Sequence, residues 1–154
     1  MKLKTTTTSC CVLLTFLVVS IADAEPIIND CKIKRRTSCP SVDLSGKDLR
    51  HANLAGADLE SANLSGANLS GDKISEANLI NANLFKADLS SANLSVSYLT
   101  GANLSHAILT KTNLSDASLS NANLSNANLQ GANLSLTNLK GANLSNANAT
   151  NAVF

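Results

Sequence analysis

A strict five-residue period runs from Val42 to Phe154 without a slip. If Leu44 is the centre of the first repeat, every later centre is Leu except Ile74, Ala149 and Phe154. The residue two before a centre is almost always Ala, the next is usually Asn or Asp, and Ser commonly follows the centre. Such self-similarity indicates a repeat architecture, in which each short unit buries its apolar residue only by stacking on other units.

A period of five fits neither of the common regular elements. On an α-helix, successive centres would rotate by roughly 500° and form no apolar stripe. On a long strand, successive centres would point to opposite faces. Within one unit, however, Ala-Asn-Leu alternates inward, outward and inward, and the next two residues are types that tolerate turn dihedrals. The pattern therefore predicts very short extended segments, joined by turns and wound into a coil.

The unit Ala67-Asn68-Leu69-Ser70-Gly71 resembles the pentapeptide-repeat family, and the resemblance covers residues 42–154. It implies an all-β fold, a right-handed quadrilateral β-solenoid with four units per coil and about six coils. Residues twenty apart would then lie one above another. Inward Ser97, Thr112 and Thr137 would bond the backbone through their hydroxyls. One buried core column would contain Leu64, Leu84, Leu104 and Leu124.

The first residues follow the layout of a secretory signal. Lys2 and Lys4 precede an apolar run that ends at Ile21, and Ala22-Asp23-Ala24 supplies the small residues of a cleavage site. Residues 1–24 are therefore predicted to be a signal peptide. The apolar run is shorter than the ~20 residues of a spanning helix, so no stable membrane insertion is expected. We expect an exported protein, periplasmic or secreted, or in the thylakoid lumen if the source is photosynthetic.

Residues 25–41 precede the array and are predicted to cap its first coil. Solenoids need such caps because a terminal coil leaves backbone groups unpaired. After removal of the signal, Cys31 and Cys39 remain, and in an oxidising compartment they are expected to form a disulfide. A metal or redox pair is the weaker reading, because their separation is wider than Cys-x-x-Cys and the histidines lie elsewhere.

Asp72 breaks the pattern of small inward residues. Its counterparts twenty residues away are Ala52 and Ala92. A buried carboxylate needs partners or a distorted coil. One interpretation is a ligand or partner site around Asp72, Lys73 and Glu76. The interpretation that we favour from the sequence is a local bulge that turns Asp72 toward solvent.

The sequence contains no recognisable catalytic constellation. His51 and His106 occupy outward turn positions on different sides of the predicted coil, and the glycines obey the five-residue period instead of forming a phosphate-binding loop. We therefore predict no catalytic, cofactor-binding or metal site, no cofactor and no enzymatic activity.

Charge excludes one known role of such folds. Six basic and eight acidic residues give residues 42–154 a net charge of −2. Some pentapeptide-repeat proteins that protect DNA gyrase resemble duplex DNA through a strongly acidic surface, which this chain lacks. Export would also separate it from gyrase. Neither gyrase protection nor nucleic-acid binding is expected.

Two binding functions remain. The first is a structural or protein-interaction module with an unknown protein partner, whose contact surface is a patch of outward apolar residues: Ile80, Phe85, Val96 and Tyr98. The alternative is binding to an extended regular surface, such as ice, mineral or polysaccharide, through ladders of Asn and Ser. Phe154 could plug the last coil, or it could leave an edge that stacks on a second copy.

Overall fold

The computed structural model describes residues 26–154, and the predicted signal peptide lies outside these described residues. Two short strands open this part of the chain: β1 (Ile27–Ile28) and β2 (Cys31–Lys32). They pair antiparallel, with Ile27 opposite Lys32. Within residues 26–154, no helix has the length and apolarity that crossing a bilayer would require.

The β1–β2 hairpin packs on the first coil, since Cys31 of β2 belongs to the same buried cluster as Leu44. Its turn residues, Asn29 and Asp30, have φ of 50° and 62°, which suits the twist of a two-residue hairpin turn. Behind the hairpin, the Ile33 side chain is 2% exposed and its N–H donates to the Pro26 carbonyl at 2.8 Å. Cys31 is bonded to Cys39, as predicted. The disulfide therefore ties the hairpin to the chain that enters the first coil.

Beyond the hairpin, almost every repeat contributes one isolated parallel bridge between residues twenty apart. Four five-residue repeats therefore make one turn of the coil. The hydrogen bonds follow the same offset: the Leu84 N–H donates to the Asn103 carbonyl at 2.8 Å, and the Asn103 N–H donates to the Ala82 carbonyl at 2.9 Å. These bonds satisfy the backbone between adjacent coils and make the structure a β-solenoid.

The coil extends further toward the N-terminus than the leucine pattern does. Ser38 bridges Asp58, and the Arg36 N–H donates to the Ala55 carbonyl at 2.9 Å. Cys39, five residues before Leu44, takes the place of a centre residue. The last part of the predicted cap is thus the start of the first coil.

The repeats stack in four rows, which we name the Leu44, Leu49, Leu54 and Leu59 rows after their first centre residue. Centre residues point inward and are almost all fully buried. Each buried Leu contributes roughly 1.5–3 kcal/mol, so these columns dominate stability. In the Leu44 row, the centre residues that are 1% exposed or less are Leu44, Leu64, Leu84, Leu104 and Leu124.

Inward hydroxyls bond the backbone in the positions where Ala is replaced. Ser97 donates to the Leu94 carbonyl at 2.6 Å, and Thr112 donates to the Leu89 carbonyl at 2.7 Å. Thr137 makes the corresponding bond at 2.7 Å. A buried hydroxyl is therefore tolerated in this position because a carbonyl lies within reach.

The residue two after each centre forms a turn in the left-handed region. Gly101 has a φ of 69° and Asn121 a φ of 57°, values that these two residue types adopt readily. The Ala102 N–H closes the turn by donating to the Leu99 carbonyl at 3.0 Å. This turn chemistry explains why Gly, Asn and Ser recur at the five-residue period.

The coil that ends at Phe154 is less well covered. Leu139 and Leu144 are only partly buried, although both occupy centre positions. Val153 is 57% exposed and Phe154 is 66% exposed. Most of the Phe154 side chain is therefore exposed at this end of the described coil.

Candidate interaction surface

Tyr98 stands in a continuous column of outward residues on the Leu59 row. Parallel bridges join Asp58 to Asn78, Asn78 to Tyr98, and Tyr98 to Ser118. The backbone of this column is held on both sides, and Tyr98 is nevertheless 53% exposed. A rigid backbone thus presents a largely exposed aromatic side chain.

Two apolar residues adjoin Tyr98. Val96, the turn residue that leads into the Tyr98 segment, is 47% exposed. Ile80 lies one coil below, where its N–H donates to Asn78 Oδ1 at 3.2 Å, and it is half-buried. We call these three residues, Ile80, Val96 and Tyr98, the Tyr98 surface.

Phe85, the fourth residue of the predicted patch, lies on a different row. It belongs to the Leu44 row, where its ring meets the His106 ring edge-on with centroids 5.7 Å apart. Lys86 Nζ lies 5.1 Å from the Phe85 centroid, within cation–π range. The structure therefore keeps Ile80, Val96 and Tyr98 on one side and places Phe85 in its own small cluster.

Carboxylates surround the Tyr98 surface, which the sequence reasoning missed. Asn78 lies directly below Tyr98, and its Nδ2 donates to Asp58 Oδ1 at 3.0 Å and to Glu60 Oε2 at 3.4 Å in the next coil down. Glu76 and Asp116 precede and follow Val96 by twenty residues, so they flank it in the column of turns. All four are dispersed in sequence, and only the twenty-residue register brings them together.

Asp72 is buried, with an exposure of 2%. Its Oδ1 accepts the N–H of Asn53 and the N–H of Lys73, both at 2.8 Å. Its Oδ2 is buried without a hydrogen-bond partner among the described residues. Burial raises the pKa of this carboxyl, although the two N–H bonds act in the opposite direction. The prediction that a bulge turns Asp72 toward solvent is wrong, because these backbone bonds hold the carboxylate inside.

The distortion lies instead in the coil below Asp72. Asn53 has a φ of 51°, and in the described chain the bridge between Asn53 and Lys73 is missing from an otherwise regular series. Asp72 takes the Lys73 N–H, which at the equivalent residue Asn78 donates to the Ala57 carbonyl of the coil below, and this leaves the ladder open. A cleft of about 460 Å³ lies here, lined by Arg35, Asn53, Ala55, Gly71, Asp72, Lys73, Ser75, Ser91 and Asn93. Glu76 does not line it.

The two histidines are far from forming a catalytic pair. His51 is exposed in a turn of the Leu49 row, with a φ of 67°, whereas His106 packs against Phe85 on the Leu44 row. Within residues 26–154, no three His, Cys, Asp or Glu side chains are grouped so that they could hold a metal ion.

The outward Asn side chains of the Leu44 row bond one another. Asn103 Nδ2 donates to Asn83 Oδ1 at 3.2 Å, and Asn123 Nδ2 donates to Asn103 Oδ1 at 3.5 Å. Asn103 Oδ1 also accepts the backbone N–H and the hydroxyl of Ser105, at 3.2 and 2.7 Å. Much of the hydrogen-bonding capacity of this ladder is therefore used within the protein.

This coil and its repeat agree with one family. The family model of pentapeptide repeats matches in eight copies, over residues 41–71, 77–116, 97–135 and 117–154. The chain therefore belongs to the pentapeptide-repeat family. A comparison with proteins of curated function found no match.

Solved structures of pentapeptide repeat proteins are similar to this chain. One, Rfr23 from the cyanobacterium Cyanothece 51142, is 33% identical, with a TM-score of 0.53, over 76% of this chain and 90% of that one. Another, from Nostoc PCC 7120, is 37% identical, with a TM-score of 0.52, over 56% of this chain and 69% of that one. A third, from the Arabidopsis thaliana thylakoid lumen, is 36% identical, with a TM-score of 0.40, over 70% and 64%.

Proposed function

We propose that this chain is an exported, non-enzymatic interaction module that binds a partner protein through the Tyr98 surface. Its coil would be the right-handed quadrilateral of about six turns that the family resemblance implies. The observation that carries the proposal is the exposure of Tyr98 and Val96 on a row whose backbone is bonded to the coils on both sides. The signal-like sequence of residues 1–24 and the Cys31–Cys39 disulfide support export.

A rigid aromatic surface suits protein recognition for energetic reasons. Tyr is enriched where interfaces contribute most binding energy, because it offers a large contact area and has few rotatable bonds to immobilise. The backbone under Tyr98 is already ordered by the bridges to Asn78 and Ser118. Binding would therefore cost little additional ordering of the chain.

Binding to ice, mineral or polysaccharide has less support. It would require outward Asn and Ser groups to be free for a regular lattice. The Asn103 amide oxygen instead accepts three hydrogen bonds within the protein, from Ser105 twice and from Asn123. The side chains of this Asn ladder are therefore largely engaged in hydrogen bonds within the protein.

We expect Tyr98→Ser to abolish capture of a protein partner from the native envelope or secreted fraction. Tyr98 supplies the largest apolar area of the surface, and its loss leaves the fold intact because the side chain is outside the core. The matched control is Ile108→Ser, which removes a 42% exposed apolar residue from the outward position of the Leu49 row. The measurement is affinity capture followed by mass spectrometry. If both variants lose capture of the partner equally, or if Tyr98→Ser does not lose it, the proposed surface is refuted.

We also propose that two copies associate through the coil that ends at Phe154. The exposed Val153 and Phe154 and the partly buried Leu144 support this. Sedimentation at increasing concentration is expected to show a rising average mass for the protein and a constant monomer mass for Val153→Ser/Phe154→Ser. A constant monomer mass for both proteins would contradict the proposal.

A further inference from the structure

We propose that the Tyr98 surface recognises a cationic segment with apolar side chains, of the kind in which Lys or Arg alternates with or flanks Leu-like residues. The inference rests on the proposed interaction function and specifies the chemistry of the partner. It is carried by three observations: the distribution of charge among the rows, the position of carboxylates around Val96, and the backbone conformation of Val96.

The rows differ in charge. Within residues 42–154, the Leu59 row and the turns that lead into it carry four of the eight acidic residues: Asp58, Glu60, Glu76 and Asp116. The same surface carries Lys140 and, in the first coil, Arg36, which lies below Gly56 in the column of turns that contains Glu76. The other three rows together carry four acidic and five basic residues. With four carboxylates and two basic residues, this side of a nearly neutral solenoid is net acidic, and it is the side that exposes Tyr98.

The carboxylates lie close enough to contact a segment seated on Tyr98. Adjacent coils are separated by about 4.8 Å, so Glu76 and Asp116 lie one coil below and one coil above Val96. Lys140 lies two coils above Thr100, the neighbour of Tyr98, at roughly 10 Å, about one Debye length at physiological salt. Asp58 lies two coils below Tyr98, so it and Lys140 are about equally distant and offset each other, and Arg36 lies three coils below Val96. The attraction that a cationic side chain meets therefore comes mainly from Glu76 and Asp116.

Val96 occupies a conformation that is unfavourable for its residue type. Its φ is 60°, in the left-handed region where a β-branched residue is an outlier. Such a conformation costs free energy, and the 47% exposure of the side chain means that burial within the chain offsets little of this cost. Burial against a partner would offset this cost, which favours Val96 as part of a contact.

The same charges argue against two other classes of partner. The phosphates of a nucleic acid and the headgroups of an anionic membrane would both be repelled by four carboxylates. A cationic and apolar peptide satisfies both the carboxylates and the exposed apolar side chains. The proposal is therefore restricted to protein.

The test uses the purified protein and a fluorescent synthetic peptide in which Lys and Leu alternate, with binding followed by anisotropy. Peptides of alternating Glu and Leu, and of alternating Lys and Ser, serve as controls. We expect the Lys-Leu peptide to bind, the two controls to bind at least roughly tenfold more weakly, and the affinity to fall with added salt. Equal binding of the Glu-Leu peptide would overturn the charge argument, and equal binding of the Lys-Ser peptide would overturn the apolar argument.

Variants locate the peptide on the protein. Glu76→Gln/Asp116→Asn is expected to weaken binding several-fold and to flatten its salt dependence. Val96→Asn is expected to weaken binding roughly tenfold and, because Asn accepts the left-handed turn, to raise the midpoint of urea unfolding. The matched controls are Asp88→Asn and Ile108→Ser on the Leu49 row. Neither should change the affinity for the peptide or the midpoint of urea unfolding.

Failure of this inference can be separated from failure of the proposed function. If the native partner is captured through Tyr98 but its capture is unchanged in Glu76→Gln/Asp116→Asn, the interaction function stands and the cationic partner is refuted. If the Lys-Leu peptide binds equally to Val96→Asn and to the unaltered protein, the assignment to this surface is likewise overturned. Absence of any captured protein would count against the interaction function itself.

Discussion

Leu104→Ala is expected to lower the free energy of unfolding by about 2–5 kcal/mol. Leu104 is 1% exposed and lies in the middle of the Leu44 row, between Leu84 and Leu124, so its truncation leaves a cavity that the stacked coils cannot easily close. Urea unfolding followed by circular dichroism measures the change. Because each coil contacts only its neighbours, the central coils should lose stability first.

Leu136→Ala is the matched control for this prediction. Leu136 is also a leucine, but it lies at a turn position and is 84% exposed. Its truncation is expected to change the free energy of unfolding by no more than about 0.5 kcal/mol. If Leu104→Ala and Leu136→Ala destabilise equally, then inward and outward positions have been assigned wrongly.

Asp72→Ala is expected to raise the free energy of unfolding by about 1–3 kcal/mol at neutral pH, because it removes a buried oxygen without a hydrogen-bond partner. Ala is the residue that the row has at Ala52 and Ala92, so the coil can accommodate it. Both N–H groups would be released from the carboxylate, and the Lys73 N–H could then rejoin the ladder by donating to the coil below. Increased protection of the Lys73 amide from hydrogen exchange would report this change, and decreased stability of Asp72→Ala would show that the carboxylate supports the coil.

The gain in the free energy of unfolding that Asp72→Ala brings should depend on pH. Burial raises the folded-state pKa of Asp72 above 3.8, so the folded protein binds the proton more tightly than the unfolded chain does. The contribution of Asp72 to stability is thus most favourable below pH 3.8 and is lost as pH rises through the folded-state pKa. The stability gap between Asp72→Ala and the unaltered protein should therefore widen from about pH 3 toward about pH 7. A gap that narrows over this range would contradict the raised pKa.

The repeat made much of the fold accessible from sequence. Leu every five residues, with Ala two before it, specifies which side chains point inward, and the structure shows this alternation at Leu84 and Ala82. Gly and Asn at the turn position specify where φ becomes positive, as at Gly101 and Asn121. These features are local, so a single unit carries the information.

Features that depend on two coils were not accessible in the same way. The sequence shows that Asp72 replaces Ala, but its partners are the N–H groups of Asn53 and Lys73, and the response is a backbone change at Asn53 in another coil. Competition between a side chain and the ladder for the same donors decides the outcome, and no five-residue pattern encodes it. The bulge predicted at Asp72 was wrong for this reason.

The interaction surface shows the same limit. Exposed apolar residues were recognised from the period, but grouping them required the register between coils. Phe85 is close in sequence to Ile80, and yet it lies on the next row, against His106. Glu76 and Asp116 are forty residues apart and flank the same Val96. The twenty-residue register that the family resemblance implies recovers these neighbours when it is applied to the outward residues as well as to the core.

The most direct test of the proposed function is a photo-cross-linking scan around one coil. A benzophenone amino acid would replace in turn the four outward residues that share this coil: Tyr98, Asn103, Ile108 and Asn113. Each faces a different row, so the four variants are matched in chemistry and in height along the solenoid. We predict a cross-linked adduct with a partner protein from the native fraction at position 98, and none at the other three. An adduct at position 103, 108 or 113, with or without one at position 98, would contradict a partner site on the Leu59 row.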